Sequence, residues 1–177
     1  AGSAIARLCA DTIYESGPGA IHAVRKRRVT AELEKVVEAN TLLSGLGYES
    51  GGLAASHAYA QGFTVLQSVH REYLHGEMVA KGVAAQLQLE SETEESRRLA
   101  RFFLDIGLPV HLGHLGMAPG DRESIEAVAQ AALAFPFIGN MPGEVDESDL
   151  CAALLAADHL GRQLADQDGD AAYRALH

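Results

Sequence analysis

Two histidines stand in unusual company. His57 lies in the run GGLAASHAYAQG, where glycine and alanine fill most positions around it, and His75 follows eighteen residues later in YLHGEMVAKG. Neutral imidazole nitrogens suit zinc and iron, so two of them converging in a dry crevice are a start on a divalent-metal site. On one straight helix such residues would stand about 27 Å apart, too far to share an ion. Gly62 and the irregular stretch QSVHREYLHG argue instead for two helices joined by a loop, which can bring the imidazoles together. Ala54, Ala55, Ser56 and Ala58 would let neighbouring backbones approach closely, leaving His57 as the one large polar group in the crevice. A lone helical histidine is more often a hydrogen-bonded core or surface side chain than a ligand, and spacing alone leaves both readings open.

Other residues carry weaker signals. HLGHLG places His111 and His114 three apart, a spacing that can put two ligands on one helical face, but Gly113 and Gly116 weaken any helix there. Glu77 could accept a proton, yet an acidic residue in a first turn mainly stabilises a helix N-terminus, and that reading is preferred. The basic run Arg25 to Arg28 fits a solvated helix end, where cations complement the dipole. Cys9 and Cys151 are the only cysteines, lie far apart and form no CxxC, so free thiols are expected rather than a zinc ribbon or a disulfide framework.

The elements that must hold these residues read as helices throughout. Ile5, Leu8, Cys9, Thr12 and Ile13 recur at spacings of three and four, and Ser16-Gly17-Pro18-Gly19 is expected to break the first helix. A second helix is predicted from about Ala20 to the basic run. Thr30 stands where an N-cap would, ahead of Leu33, Val36, Val37, Asn40, Leu43 and Ser44 on one face, with Gly45 and Gly47 expected to end that helix. Further helices are predicted at about 51–61, 76–89, 94–106, 122–134 and 147–166, the last carrying Leu150, Leu154, Ala157, Leu160 and Leu164 along one side. His70 and Tyr73 fall in a connection, and 110–120 reads as short turns. No run alternates cleanly with period two, so no sheet is predicted. The expected fold class is all-α, a helical bundle forming a single domain over 1–177.

Bulk properties narrow the partners. The 177 residues suffice for one ordinary domain with a real core, and 47% hydrophobic with 21% charged residues describes a globular chain. A net charge of -10 disfavours a general nucleic-acid or anionic-membrane surface. No stretch reaches the roughly 18 to 20 apolar residues of a membrane span, and no signal peptide opens the chain, so a cytoplasmic location is expected. The chain begins at Ala1 without a methionine and enters a helical pattern almost at once, as a piece of something longer would.

The run EKVVEANTLLSGLGYESGGLAASHAYAQGFTVL, followed by HGEMVAKG, resembles the glycerol dehydrogenases of the iron-containing alcohol dehydrogenase superfamily. The resemblance extends from the first helix through NMPG at 140–143 to AALLAADHLG at 152–161. It implies that His57 and His75 are ligands of a catalytic divalent metal, usually zinc with iron as the alternative. It also implies that Tyr48 lines a pocket for a small polyol, at a position where phenylalanine is more usual. Dehydroquinate synthases share an HGE motif like His75-Gly76-Glu77, but their first ligand motif resembles GHTxGHA where this chain has GGLAASHA, which favours the dehydrogenases. The expected fold is then that family's helical C-terminal domain.

Two family features are absent from the sequence. The N-terminal α/β domain that binds NAD through a glycine-rich loop has no counterpart, and the third metal ligand, an aspartate, would lie upstream of Ala1. NAD is therefore expected for a complete enzyme and not for this polypeptide, whose partners would be the missing domain or chain and, in a homo-oligomer, further copies. Rival readings are a non-catalytic helical binding or assembly module with vestigial histidines, and a related dehydrogenase acting on another diol or a sugar-derived ketone.

Overall fold

The computed structural model describes residues 1–177 as helices, turns and irregular connections, with no strand. Two compact units divide the chain, Ala1–Gly52 and Leu53–His177. No helix is long and apolar enough to cross a membrane.

The first unit is a helical hairpin. Its first arm, α1 (Gly2–Arg25), runs unbroken through Ser16-Gly17-Pro18-Gly19, so the expected break does not occur. Proline removes one helical N–H and crowds the carbonyl four residues back, at about 3 kcal/mol in a helix interior. Packing on both sides of it offsets that cost, because Ser16, Gly17, Ala20 and Ala23 are all buried. Gly19 serves close approach rather than a turn, since a Cβ there would stand 2.9 Å from Glu32 Cγ. The returning arm is capped by Thr30, whose Oγ1 accepts the Leu33 N–H at 3.4 Å, as the sequence predicts. It comprises α2 (Ala31–Glu38), a π-helical turn (Ala39–Leu43) and α3 (Ser44–Gly51). Gly45 and Gly47 do not end it. A Cβ at Gly47 would lie 3.5 Å from Ala6 Cα, so glycine here lets the two arms approach.

The second unit holds the larger core. Its helices are α4 (Ala55–Phe63), α5 (Gln67–Glu72), α6 (His75–Leu89), α7 (Thr93–Ile106), α8 (Arg122–Leu133), α9 (Glu147–Asp168) and α10 (Ala171–Arg174), with 3-10 turns at Leu112–Leu115 and Pro136–Asn140. Helix α4 packs on α6 and α8, and α9 closes the far side against α6, α7 and α8. Tyr59, Phe63, Leu115, Leu150, Leu154 and Leu164 are wholly enclosed, and the apolar stripe foreseen on α9 is the buried one. Asp146 caps α9 by accepting the Asp149 N–H at 2.9 Å, and Gly107 at φ 85° ends α7 in the left-handed conformation. His70, expected in a connection, lies on the short α5, while Tyr73 follows it in extended backbone.

Glycine sets the spacing of this core. A Cβ on Gly82 of α6 would stand 2.1 Å from the Ser56 carbonyl oxygen of α4, and one on Gly62 of α4 would stand 2.4 Å from the Val128 carbonyl oxygen of α8. Backbone therefore rests on backbone at both faces of α4. The small residues seen around His57 are half of this device, and Gly82 is the other half.

Candidate metal centre

His57 is the third residue of α4 and His75 the first of α6, so each stands at a helix start. Three contacts fix the α4 end. The Gly82 crossing sets its distance from α6, Gln86 of α6 accepts the Ser56 N–H at 2.9 Å, and Asn140 donates to the Leu53 carbonyl at 2.7 Å. The N–H that Gln86 satisfies is one of the four a helix leaves unpaired at its start. On α6, Glu77 accepts the N–H of Leu74, the residue before His75, at 2.7 Å.

These restraints place the two rings with centroids 5.9 Å apart, tilted by 52°. The connection through α5 thus joins what a straight helix would separate. His57 is half-buried and His75 exposed, so the pair opens outward. Burial first, and then the neighbouring His75, hold the His57 pKa below its ordinary value, which keeps a lone pair available. Ser56 Oγ lies 3.4 Å from His57 Nδ1, leaving Nε2 as the uncommitted nitrogen.

The pair can be tested against an ion. With Zn–N near 2.0–2.1 Å, two imidazoles at a tetrahedral angle have centroids roughly 5 Å apart, and a wider angle extends this to about 6 Å. The observed separation lies at the wide end of that span, which leaves room for a divalent ion between the rings. No third His, Cys, Asp or Glu side chain joins them into a group of three. Tyr48, the residue implied for the polyol pocket, lies in the first unit on α3, with 48% of its surface exposed.

The second histidine pair is built differently. His111 and His114 have ring centroids 3.7 Å apart, but His111 Nδ1 accepts the His114 N–H at 3.2 Å and His114 Nδ1 accepts the Val110 N–H at 3.3 Å. His114 Nε2 faces Asp170 Oδ2 at 3.2 Å. Three of the four ring nitrogens are thereby committed to the fold, and both rings must keep Nδ1 unprotonated. Burial, with His114 and Arg162 adding to it, pushes the His111 pKa down to about 4, so this ring caps its turn as a neutral group.

Sequence reasoning missed Lys81. It points inward from α6, is wholly enclosed, and donates from Nζ to the Val110 carbonyl at 3.0 Å. Burial lowers its pKa to about 7, with Asp158 opposing that shift and Arg162 adding to it. Gln86 and Asn140 were also unremarked as anchors, although a glutamine on a helix that packs into the core and an asparagine at the end of a 3-10 turn are polar groups that need partners.

No family model matches the chain. It is 46% identical over 164 residues to a glycerol dehydrogenase of Thermotoga maritima, covering 90% of this chain and 44% of that protein. A glycolaldehyde reductase of Halobacterium salinarum is 41% identical, with 94% of this chain and 46% of that protein covered. The crystal structure of a glycerol dehydrogenase from Schizosaccharomyces pombe superposes with a TM-score of 0.88 at 38% identity, covering 95% of this chain and 44% of that one. The chain thus spans just under half the length of the relatives it matches.

Proposed function

On the premise that this chain is homologous over nearly its whole length to just under half of a glycerol dehydrogenase, we propose that it is the helical, metal-binding part of a polyol dehydrogenase that oxidises a secondary hydroxyl to a ketone with NAD. The 5.9 Å approach of His57 and His75 carries the reading, because two imidazoles from different helices open outward together. They would hold a divalent metal, zinc or alternatively iron, completed by a ligand from outside this chain.

Such an ion supplies Lewis acidity toward an alcohol oxygen, easing loss of the hydroxyl proton near neutral pH. The chain's own residues do the preparatory work. Burial keeps His57 neutral and therefore able to ligate, and the Ser56 hydroxyl beside Nδ1 leaves Nε2 for the ion. Gln86, Asn140 and Glu77 hold the two helix starts, so the donors are set before an ion arrives. Tyr48 would contact the polyol, and NAD would be bound by the part of the enzyme outside this chain.

Metal analysis of the full-length protein tests the assignment. The parent should hold one equivalent, and His57→Ala and His75→Ala should each lose most of it. A full equivalent retained by the double variant would refute the ligand pair. Likeness to a glycolaldehyde reductase favours one second reading, turnover of a small hydroxyaldehyde in the reductive direction. A panel of glycerol, other vicinal diols, dihydroxyacetone and glycolaldehyde separates the two.

A further inference from the structure

A second line of polar contacts ends on the same turn as His75. Glu77, 7% exposed, uses Oε2 to accept the Leu74 N–H at 2.7 Å, and its Oε1 lies 2.6 Å from His177 Nε2. His177 is itself fixed. Its ring stacks on Tyr173 with centroids 4.0 Å apart and planes within 16°, and its Nδ1 lies 3.1 Å from the Tyr173 carbonyl oxygen. Tyr173 in turn stacks on His114 at 3.8 Å and donates its hydroxyl to the His114 carbonyl. Both nitrogens of His177 thus face acceptors, and its plane is set by a three-ring stack anchored in the core.

Glu77 is therefore gripped from both sides, one oxygen on the backbone just before His75 and the other on a held imidazole. With the Leu74 N–H alone, the carboxylate could swing about its side-chain torsions while keeping one bond. With both contacts, the turn that begins α6 has a single arrangement. We infer that His177, acting through Glu77, is a positioning residue for His75, setting where that ring stands without touching the ion. The inference rests on the metal reading above. Partners that orient ligands from outside the coordination sphere typically change metal affinity by roughly 10- to 100-fold when removed. Because His177 acts at one remove further, the lower end of that range applies.

The test uses the full-length protein and zinc as the probe, with affinities from chelator competition. His177→Ala should weaken zinc about tenfold, and His177→Gln, whose amide can still donate to Glu77, should recover most of the loss. Ile125→Ala, a core truncation on α8, should cost stability but leave zinc affinity unchanged. Hydrogen exchange at the Leu74 amide should quicken in His177→Ala, since its acceptor is less constrained. Zinc affinity within about twofold of the parent in His177→Ala, or unchanged Leu74 exchange, overturns the positioning role alone. Zinc retained when both His57 and His75 are alanine overturns the ligand pair and this inference with it.

Discussion

Replacing Lys81 with methionine should stabilise the chain, and the gain should depend on pH in a defined direction. Lys81 is wholly enclosed, and its pKa falls from 10.5 to about 7 chiefly through burial. Between those values the folded side chain is mostly neutral while the unfolded one is charged, so the unfolded state binds more protons. Stability therefore rises with pH across that window and levels off below about pH 7. At ~1.4 kcal/mol per unit, the full displacement corresponds to about 5 kcal/mol, of which roughly 4 applies at pH 7 and roughly 2 at pH 9. Methionine matches the length of the chain and removes this cost. It also removes the donor to the Val110 carbonyl, a loss of about 1–3 kcal/mol. The net expectation is a gain of about 2 kcal/mol near pH 7 that shrinks to almost nothing near pH 9. Urea unfolding followed by far-UV circular dichroism at several pH values measures it. Parallel stability curves for parent and variant would refute the reasoning, because they would mean that Lys81 binds protons equally in both states.

Two further outcomes follow from the site. Gly82→Ala places a Cβ 2.1 Å from the Ser56 carbonyl, and since both groups belong to helix backbone, α4 and α6 must separate. Overpacking of this kind costs about 1–3 kcal/mol in urea unfolding, and zinc affinity should fall with it as the imidazoles move apart. His57, lowered by burial and then by His75, should titrate in the metal-free chain with an NMR midpoint below 6.5. It therefore stays neutral, and able to ligate, to lower pH than a free histidine, and a midpoint at or above 6.5 would contradict the burial argument.

Helix identity was legible in the sequence wherever one face was apolar and an end carried its own cap, as at Thr30 and along α9. Two of the errors share a cause. Pro18 and Gly47 are breakers only when nothing else holds the backbone, and here the opposing arm of the hairpin does, whereas Gly45 meets nothing and is carried by the helix on either side of it. The convergence of His57 and His75 was open to inference because glycine, alanine and an irregular connector pointed to a close helix crossing. Gly82, which makes the crossing possible, sits mid-helix with no local mark of its task. Lys81 was invisible because lysine ordinarily faces water, and only tertiary structure reveals one turned inward. The Glu77–His177 contact joins residues 100 apart in sequence, a distance over which no local pattern speaks.

The π-turn at Ala39–Leu43 has a consequence for Tyr48. Such a turn is what an α-helix becomes when one residue is inserted without adding a full turn of length. Every side chain beyond it is rotated by about 100° from where the earlier stripe of Leu33 and Val36 would have continued. The direction of Tyr48 is thus decided five to nine residues before it. Removing a single residue from that turn would restore a regular α-helix and keep the tyrosine on the side it now takes, whereas straightening the turn without a deletion would swing it to another side of the same helix. In alignments of this chain with relatives, a one-residue gap near Asn40 would mark proteins whose helix is regular here and whose aromatic still looks the same way.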